Sequence, residues 1–312
     1  MSEPITNNDK KRAARRRFLR GMGLLLVSGA ATVADARYIE PHWVDLTRHN
    51  VFLPELPLAL DGMTVAQLTD LHYGPVTPHS TIVEAIRLAA GAHPDLVVLT
   101  GDFVKREPAQ AVELAPLLAP LEAARYGMIA TLGNHDYADG RGDAVADGLT
   151  RNCRVRFLRN ASEETAPGLF VAGIEDTFRG KPDTARAMAG VPPGAACLFL
   201  THNPVGVWSV ADHSCFALSG HTHGGQIRIP GLRPWFPPGM AGFPIIAGWG
   251  SFGAAQLYIN RGVGVTGHRL RFRCRPEVAV FTLRRGAGTP ESVSGEGKRG
   301  ARIPVRAFPK TG

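Results

Sequence analysis

The 312-residue chain carries 35 Lys and Arg against 27 Asp and Glu, a formal charge of +8, with 44% hydrophobic residues and four cysteines. That length is enough for one large domain with a full core. The excess charge sits at the ends: residues 1–36 hold seven basic and three acidic side chains, residues 284–312 hold seven and two, and residues 37–283 hold 21 and 22. A balanced centre argues against a basic groove for nucleic acid. The scattered Cys153, Cys197, Cys215 and Cys274 form no zinc-ribbon pattern.

In chain order, Arg15-Arg16-Arg17-Phe18-Leu19-Arg20 matches the twin-arginine export pattern. The apolar stretch 21–30 is shorter than a comfortable membrane span, and Ala34-Asp35-Ala36 offers a small-x-small cleavage site. Residues 1–36 are therefore expected to be a signal peptide that passes the chain through the twin-arginine machinery to the periplasm or cell envelope. An uncleaved leader would tether it to the membrane surface.

Short apolar runs then predict strands buried on both faces, and most of them lead into a polar cluster. Run 65–69 precedes Asp70-Leu71-His72, and run 96–100 precedes Gly101-Asp102. Run 128–132 precedes Gly133-Asn134-His135-Asp136, and run 197–200 precedes His202. Helices are expected at 81–92, at 109–124 with interruptions at Pro116 and Pro120, and at 141–150. Further strands are expected at 155–158, 169–174, 216–219, 256–260 and 278–283, and Gly220-His221-Thr222-His223 follows the third of these. An alternating half followed by a strand-rich half fits an α/β fold of two stacked mixed sheets flanked by helices.

Sites in open α/β sheets gather beyond the carboxyl ends of strands, so these clusters are expected on one rim. Carboxylates, imidazoles and one amide suit borderline-hard divalent metals such as Mn, Fe or Zn. There are too many ligands for one ion and enough for two.

This order of residues resembles the calcineurin-like metallophosphoesterase superfamily over roughly residues 60–283. The resemblance implies a four-layer αββα sandwich. It also implies a first metal held by Asp70, His72 and His223, with Asp102 bridging to a second held by Asn134, His202 and His221. His135 would stand beside the leaving group rather than ligate. The implied reaction is hydrolysis by in-line attack of a metal-bridging hydroxide.

In the phosphoprotein-phosphatase branch the second motif continues Gly-Asp-x-Val-Asp-Arg-Gly. Here it reads Gly101-Asp102-Phe103-Val104-Lys105-Arg106-Glu107, which argues against phosphoprotein substrates and leaves Arg106 as a candidate phosphate clamp. The continuation His223-Gly224-Gly225-Gln226 and the stretches 258–264 and 273–277 look like the twin-arginine-exported bacterial phosphodiesterases. That branch is related to pyrophosphatases of UDP-2,3-diacylglucosamine in lipid A synthesis. The resemblance thus implies phosphodiester or pyrophosphate substrates, on a lipid or cell-envelope molecule. The alternative is a non-catalytic metal-binding envelope protein, which would bind metal without turnover.

Two Gly-x-Gly-x-x-Gly matches, at 248–253 and 262–267, lack the strand-turn-helix setting and acidic residue of a dinucleotide site. The arginine-rich stretch after the second is expected to be a strand. Asn260 and Arg261 are expected near the metal rim. The segment 230–244 is read either as an apolar wall over the site or as a packed loop. Residues 37–283 form the expected catalytic domain, and 284–312 a disordered basic tail.

Overall fold

The computed structural model describes residues 7–237, 240 and 242–293. Helix α1 (Asn7–Ala34) leads through a π turn, Asp35–Ile39, and a 3-10 turn, Glu40–His42, into the body. Residues 15–42 contain a helical stretch long and apolar enough to cross a membrane by length and composition, a property signal sequences share. The stretch 21–30 alone is too short, but Ala31-Thr32-Val33-Ala34 prolong it without charge.

Strand β1 (Asp45–Leu53) and β2 (Thr64–Leu68) are followed by α2 (His79–Gly91) and β3 (Leu96–Thr100). Then come α3 (Ala109–Leu118), β4 (Met128–Thr131), α4 (Gly142–Asn152), β5 (Val155–Phe157), β6 (Ala161–Ala166) and β7 (Leu169–Gly173). The chain continues with α5 (Thr184–Met188), β8 (Ala196–Leu200), β9 (Phe216–Ser219), β10 (Gly248–Phe252), β11 (Ala255–Ile259), β12 (Glu277–Arg285) and β13 (Glu291–Ser292). One mixed sheet has the order β13-β1-β12-β2-β3-β4-β5, the other β10-β11-β9-β8-β7-β6.

The sheets stack through Val65, Val98 and Ile129 of the first against Leu198, Leu200 and Phe216 of the second. On the outer face of the first sheet, Ala66, Leu68, Val97 and Leu99 pack on helical Ile82, Leu114 and Leu149. The outer face of the second carries α5, the 3-10 helix Pro204–Val210 and Met240 and Phe243. This is the mixed α/β arrangement of two sheets flanked by helices that the alternation of apolar runs predicts.

Three local expectations change. The helix beginning at Ala109 loses regular α geometry after Leu118 and tightens to a 3-10 turn over Ala119–Ala123. Proline lacks the amide hydrogen needed to continue the ladder, and Pro120 stands at this break. The arginine-rich stretch after Gly267 is not a strand; it makes one isolated bridge, Ile227 to Phe272. Its Arg271 is fully buried and donates to the carbonyls of Arg261, Gly262, Gly264 and Cys274 at 3.1, 2.9, 2.5 and 2.9 Å, stapling the loop instead of alternating. Finally, β12 runs past Leu283 to Arg285, and β13 pairs antiparallel with β1, so residues 284–293 are not simply tail. Residues 294–312 of the expected tail lie outside the described residues.

Candidate metal centre

Parallel pairing of β2 with β3 aligns Val65 with Leu96 through Leu68 with Leu99. The chains stay side by side beyond the sheet: Asp70 N–H donates to Gly101 O and His72 N–H to Asp102 O, both at 2.9 Å. Five proposed ligands adopt left-handed backbone: Asp70 (φ 53°), His72 (44°), Asp102 (54°), His221 (69°) and His223 (48°). Such residues cost energy without glycine and concentrate where function holds them. Gly101 (φ 89°) is required by closeness as well, since a Cβ there would lie 2.5 Å from Gly133 N and 2.9 Å from His202 Nδ1.

The side chains converge. Asp70 Oδ2 accepts from Thr69 Oγ1 at 2.8 Å and from His221 N–H at 3.0 Å, while Oδ1 stands 3.3 Å from His223 Nε2. His72 Nε2 and His223 Nε2 are 3.0 Å apart. Asp102 Oδ1 accepts from His135 N–H at 2.8 Å, which leaves Oδ2 at 3.4 Å from His72 Nε2 and 3.3 Å from His202 Nε2. Asn134 Oδ1 lies 3.2 Å from the same His202 nitrogen.

These spacings test whether a cation fits. Donors about 2.1 Å from an ion stand about 3.0 to 3.4 Å from one another in octahedral or tetrahedral arrangement, which matches. His202 Nδ1 is 2.7 Å from Thr100 O, so Nδ1 carries the proton. Nε2 then faces Asp102 Oδ2 and Asn134 Oδ1, a face that is filled either by a second ring proton or by a cation. A carbonyl partner of this kind is the usual orienting contact of a metal-bound imidazole. Among the described residues three groups meet the spacing for a metal: Asp70–His72–His223, Asp70–Asp102–His202 and His72–Asp102–His135. The last shows His135 within ligating reach, although its role was expected to lie elsewhere.

The electrostatics follow from burial. Burial holds the His72 and His223 imidazoles well below their ordinary range, as metal ligation requires, with Asp102 opposing the shift at His72 and the His72 ring adding to it at His223. Burial would raise Asp102, but His202 and then His72 outweigh it and keep the carboxyl well below its usual range. His202 is raised in turn, Asp102 overcoming its burial. Burial also lowers His135.

Asp136 closes the third polar cluster. It is fully buried, and its carboxylate accepts from Phe103 N–H and Gly133 N–H at 2.9 Å and Val104 N–H at 3.2 Å. It therefore ties the Asp102 loop to the Asn134 loop. Gln67 does the same between the sheets, donating to Thr100 Oγ1 and Ser219 O at 3.0 Å.

A cavity of about 240 Å³ opens over Asp102, Asn134, His135, His221 and His223, with Phe178, Arg179 and Trp235 in its wall. Arg106 is exposed and does not line it. Arg179 is the cation that does, and composition gave no sign of it. Its position comes from buried Asp176, whose Oδ1 accepts from Phe178 N–H at 3.0 Å and Arg179 N–H at 2.7 Å just beyond β7. An acidic residue at one more strand end was the available signal. Asn260 and Arg261 do not line the cavity: Asn260 Oδ1 accepts from Gly262 N–H, and Arg261 pairs with Glu277 and Asp45.

Residues 63–225 match the family described as calcineurin-like phosphoesterase. The chain belongs to that family. Over 285 residues it is 33% identical to the uncharacterized metallophosphoesterase YkuE of Bacillus subtilis, covering 88% of this chain and 99% of the relative. It is 32% identical to phosphodiesterase YaeI of Escherichia coli, covering 86% and 99%. It is 28% identical to UDP-2,3-diacylglucosamine pyrophosphatase LpxG of Chlamydia trachomatis, covering 82% and 94%. The chain is thus a metal-dependent phosphoesterase with Asp and His residues positioned to bind metal.

Proposed function

We propose that this chain hydrolyses phosphodiester or pyrophosphate bonds with two divalent cations that share Asp102. The observation that carries the reading is the near-equal separation of Asp102 Oδ2 from His72 Nε2 and His202 Nε2, 3.4 and 3.3 Å. Asp70, His72 and His223 would hold one ion; Asn134, His202 and His221 would hold the other. When bound, such a pair acidifies a shared water and neutralises phosphoryl oxygens.

The protein's own groups do the rest. Asp102 Oδ1 is kept on His135 N–H, so only Oδ2 is offered to the centre. His135 lines the cavity and, held neutral by burial, can donate a hydrogen bond to a phosphoryl or departing oxygen. Arg179 is placed to meet a second anionic group of a diester or pyrophosphate.

Names of the relatives YaeI and LpxG support diester or pyrophosphate substrates, on a lipid or cell-envelope molecule. Lys105, whose Nζ is 3.2 Å from Thr266 Oγ1, stands where phosphoprotein phosphatases have an acidic residue. We further propose export through the twin-arginine route with the leader retained. Ala36, the last residue before the expected cut, is buried and accepts from Arg271 N–H at 2.9 Å.

The test is turnover of a chromogenic phosphodiester, a nucleoside diphosphate sugar and a phosphopeptide by the metal-loaded protein. Turnover of the first two with little of the third is expected. Preference for the phosphopeptide would overturn the reading, and metal binding without any turnover would favour the non-catalytic alternative.

A further inference from the structure

Ile229, Leu232 and Trp235 follow the proposed ligand His223 on one segment and are 50%, 65% and 58% exposed. Behind them a cavity of about 420 Å³ is lined by Ile229, Leu232, Pro234, Ile245 and Ile246, with Arg228 at its side. Thr222, between the ligands His221 and His223, donates to Ile246 O at 2.7 Å, so this apolar floor is fastened to the metal centre. Grouped exposure of large apolar side chains marks an interaction surface.

Where the segment sits says what covers it. Arg228 N–H donates to Phe272 O at 2.9 Å and Phe272 N–H to Gln226 O at 3.0 Å. On either side of Phe272, Arg271 N–H donates to Ala36 O at 2.9 Å, and Arg273 N–H to Glu40 Oε2 at 2.8 Å. Residues 271–273 are thus bound both to the apolar segment and to the turn that ends the exposed apolar helix α1. Exposed Tyr38 and Trp43 stand at that turn, with the Arg275 guanidinium 3.7 Å over the Trp43 ring. Aromatic residues beside basic ones are the composition of a membrane–water interface. The stretch 223–244 carries Arg228 and Arg233 and no acidic residue, complementary to anionic headgroups.

We propose that the segment 227–235 is a second membrane contact, dipping Ile229, Leu232 and Trp235 into the interfacial layer of an anionic bilayer while α1 anchors the chain. Trp235 also walls the metal cavity, so the cavity mouth faces the bilayer and its substrates are phosphoesters carried by membrane lipids. The proposal rests on the tethered phosphoesterase reading above.

All four native cysteines are buried, so an introduced one can be labelled selectively. Full-length Leu232→Cys, Ile229→Cys and, at the opposite sheet edge, Arg154→Cys would carry an environment-sensitive fluorophore. Each would be reconstituted into phosphatidylglycerol–phosphatidylcholine vesicles containing doxyl-labelled lipid. Labels at 229 and 232 are expected to shift blue and be quenched several-fold more than the label at 154. Equal quenching at 229, 232 and 154 would overturn the loop contact even if the chain floats with vesicles. A chain that does not float would overturn the loop contact and the tether together. Neither readout depends on turnover, so a failure of the phosphoesterase reading is seen separately.

Discussion

The His221 N–H donates to the Asp70 carboxylate at 3.0 Å although 151 positions separate the two residues. The bond joins the strand end of β2 in one sheet to that of β9 in the other. Asp70 is therefore both a candidate ligand and the clasp that sets where His221 and His223 arrive. Asp70→Asn removes the negative charge and turns one of the two oxygens that accept from His221 N–H into an amide donor. Metal content is expected to fall and diester turnover to drop more than about 100-fold, beyond the 10- to 100-fold range of outer-shell changes. Elemental analysis alongside kinetics checks this.

Asp136 makes the converse case, a carboxylate that holds loops without facing substrate. Asp136→Ala would strand three buried N–H groups, each worth about 1–3 kcal/mol, and should lower stability by about 3 kcal/mol or more. Asp136→Asn keeps one acceptor and should lose less. Chemical denaturation of the chelated variants measures the difference.

Arg179 and Arg106 separate what the cavity uses from what the sequence offered. Arg179→Ala is expected to raise KM for an anionic diester about 10-fold, the size of one charge-assisted hydrogen bond, with metal content unchanged. Arg106→Ala should leave both unchanged, because its side chain does not line the cavity. Steady-state kinetics on both variants decides the point.

Much of the site was legible because its ligands follow short apolar runs, and apolar runs of four to five residues announce buried strands. Asp102 and Asn134 could be found that way. The left-handed backbone at five ligands could not, since nothing in Asp-Leu-His or His-Thr-His encodes it without the strands around them. Strand β1 was missed because Asp45-Leu46-Thr47-Arg48-His49 is polar; only from His49 onward does its burial alternate. The parallel partner β12, more than two hundred residues away, makes it a strand. Arg271 misleads for a related reason: an arginine amid alternating residues reads as a solvated strand face, yet four backbone carbonyls hold it in the interior.

His49 gives a pH signature outside the metal centre. Burial is the leading cause that lowers its imidazole from the ordinary 6.5 to about 4, with Glu277 opposing. The unfolded chain then takes up a proton below pH 6.5 that the native state refuses until about pH 4. Stability is therefore fully present above pH 6.5 and is lost as pH falls toward about 4, by about 3 kcal/mol in all. With metal chelated in both proteins, His49→Phe should remove that part of the pH dependence. Denaturation midpoints at pH 7 and pH 5 would show it as a smaller difference in the variant.

The shared position of Asp102 is the centre of the account, and electron paramagnetic resonance of the manganese-loaded protein tests it most directly. Two Mn(II) ions about 3.5–4 Å apart are magnetically coupled. The wild-type chain is expected to give the coupled multiline spectrum, and Asp102→Ala only the six lines of isolated ions or none. A wild-type spectrum of isolated ions at full occupancy, or a coupled spectrum that survives Asp102→Ala, would contradict it.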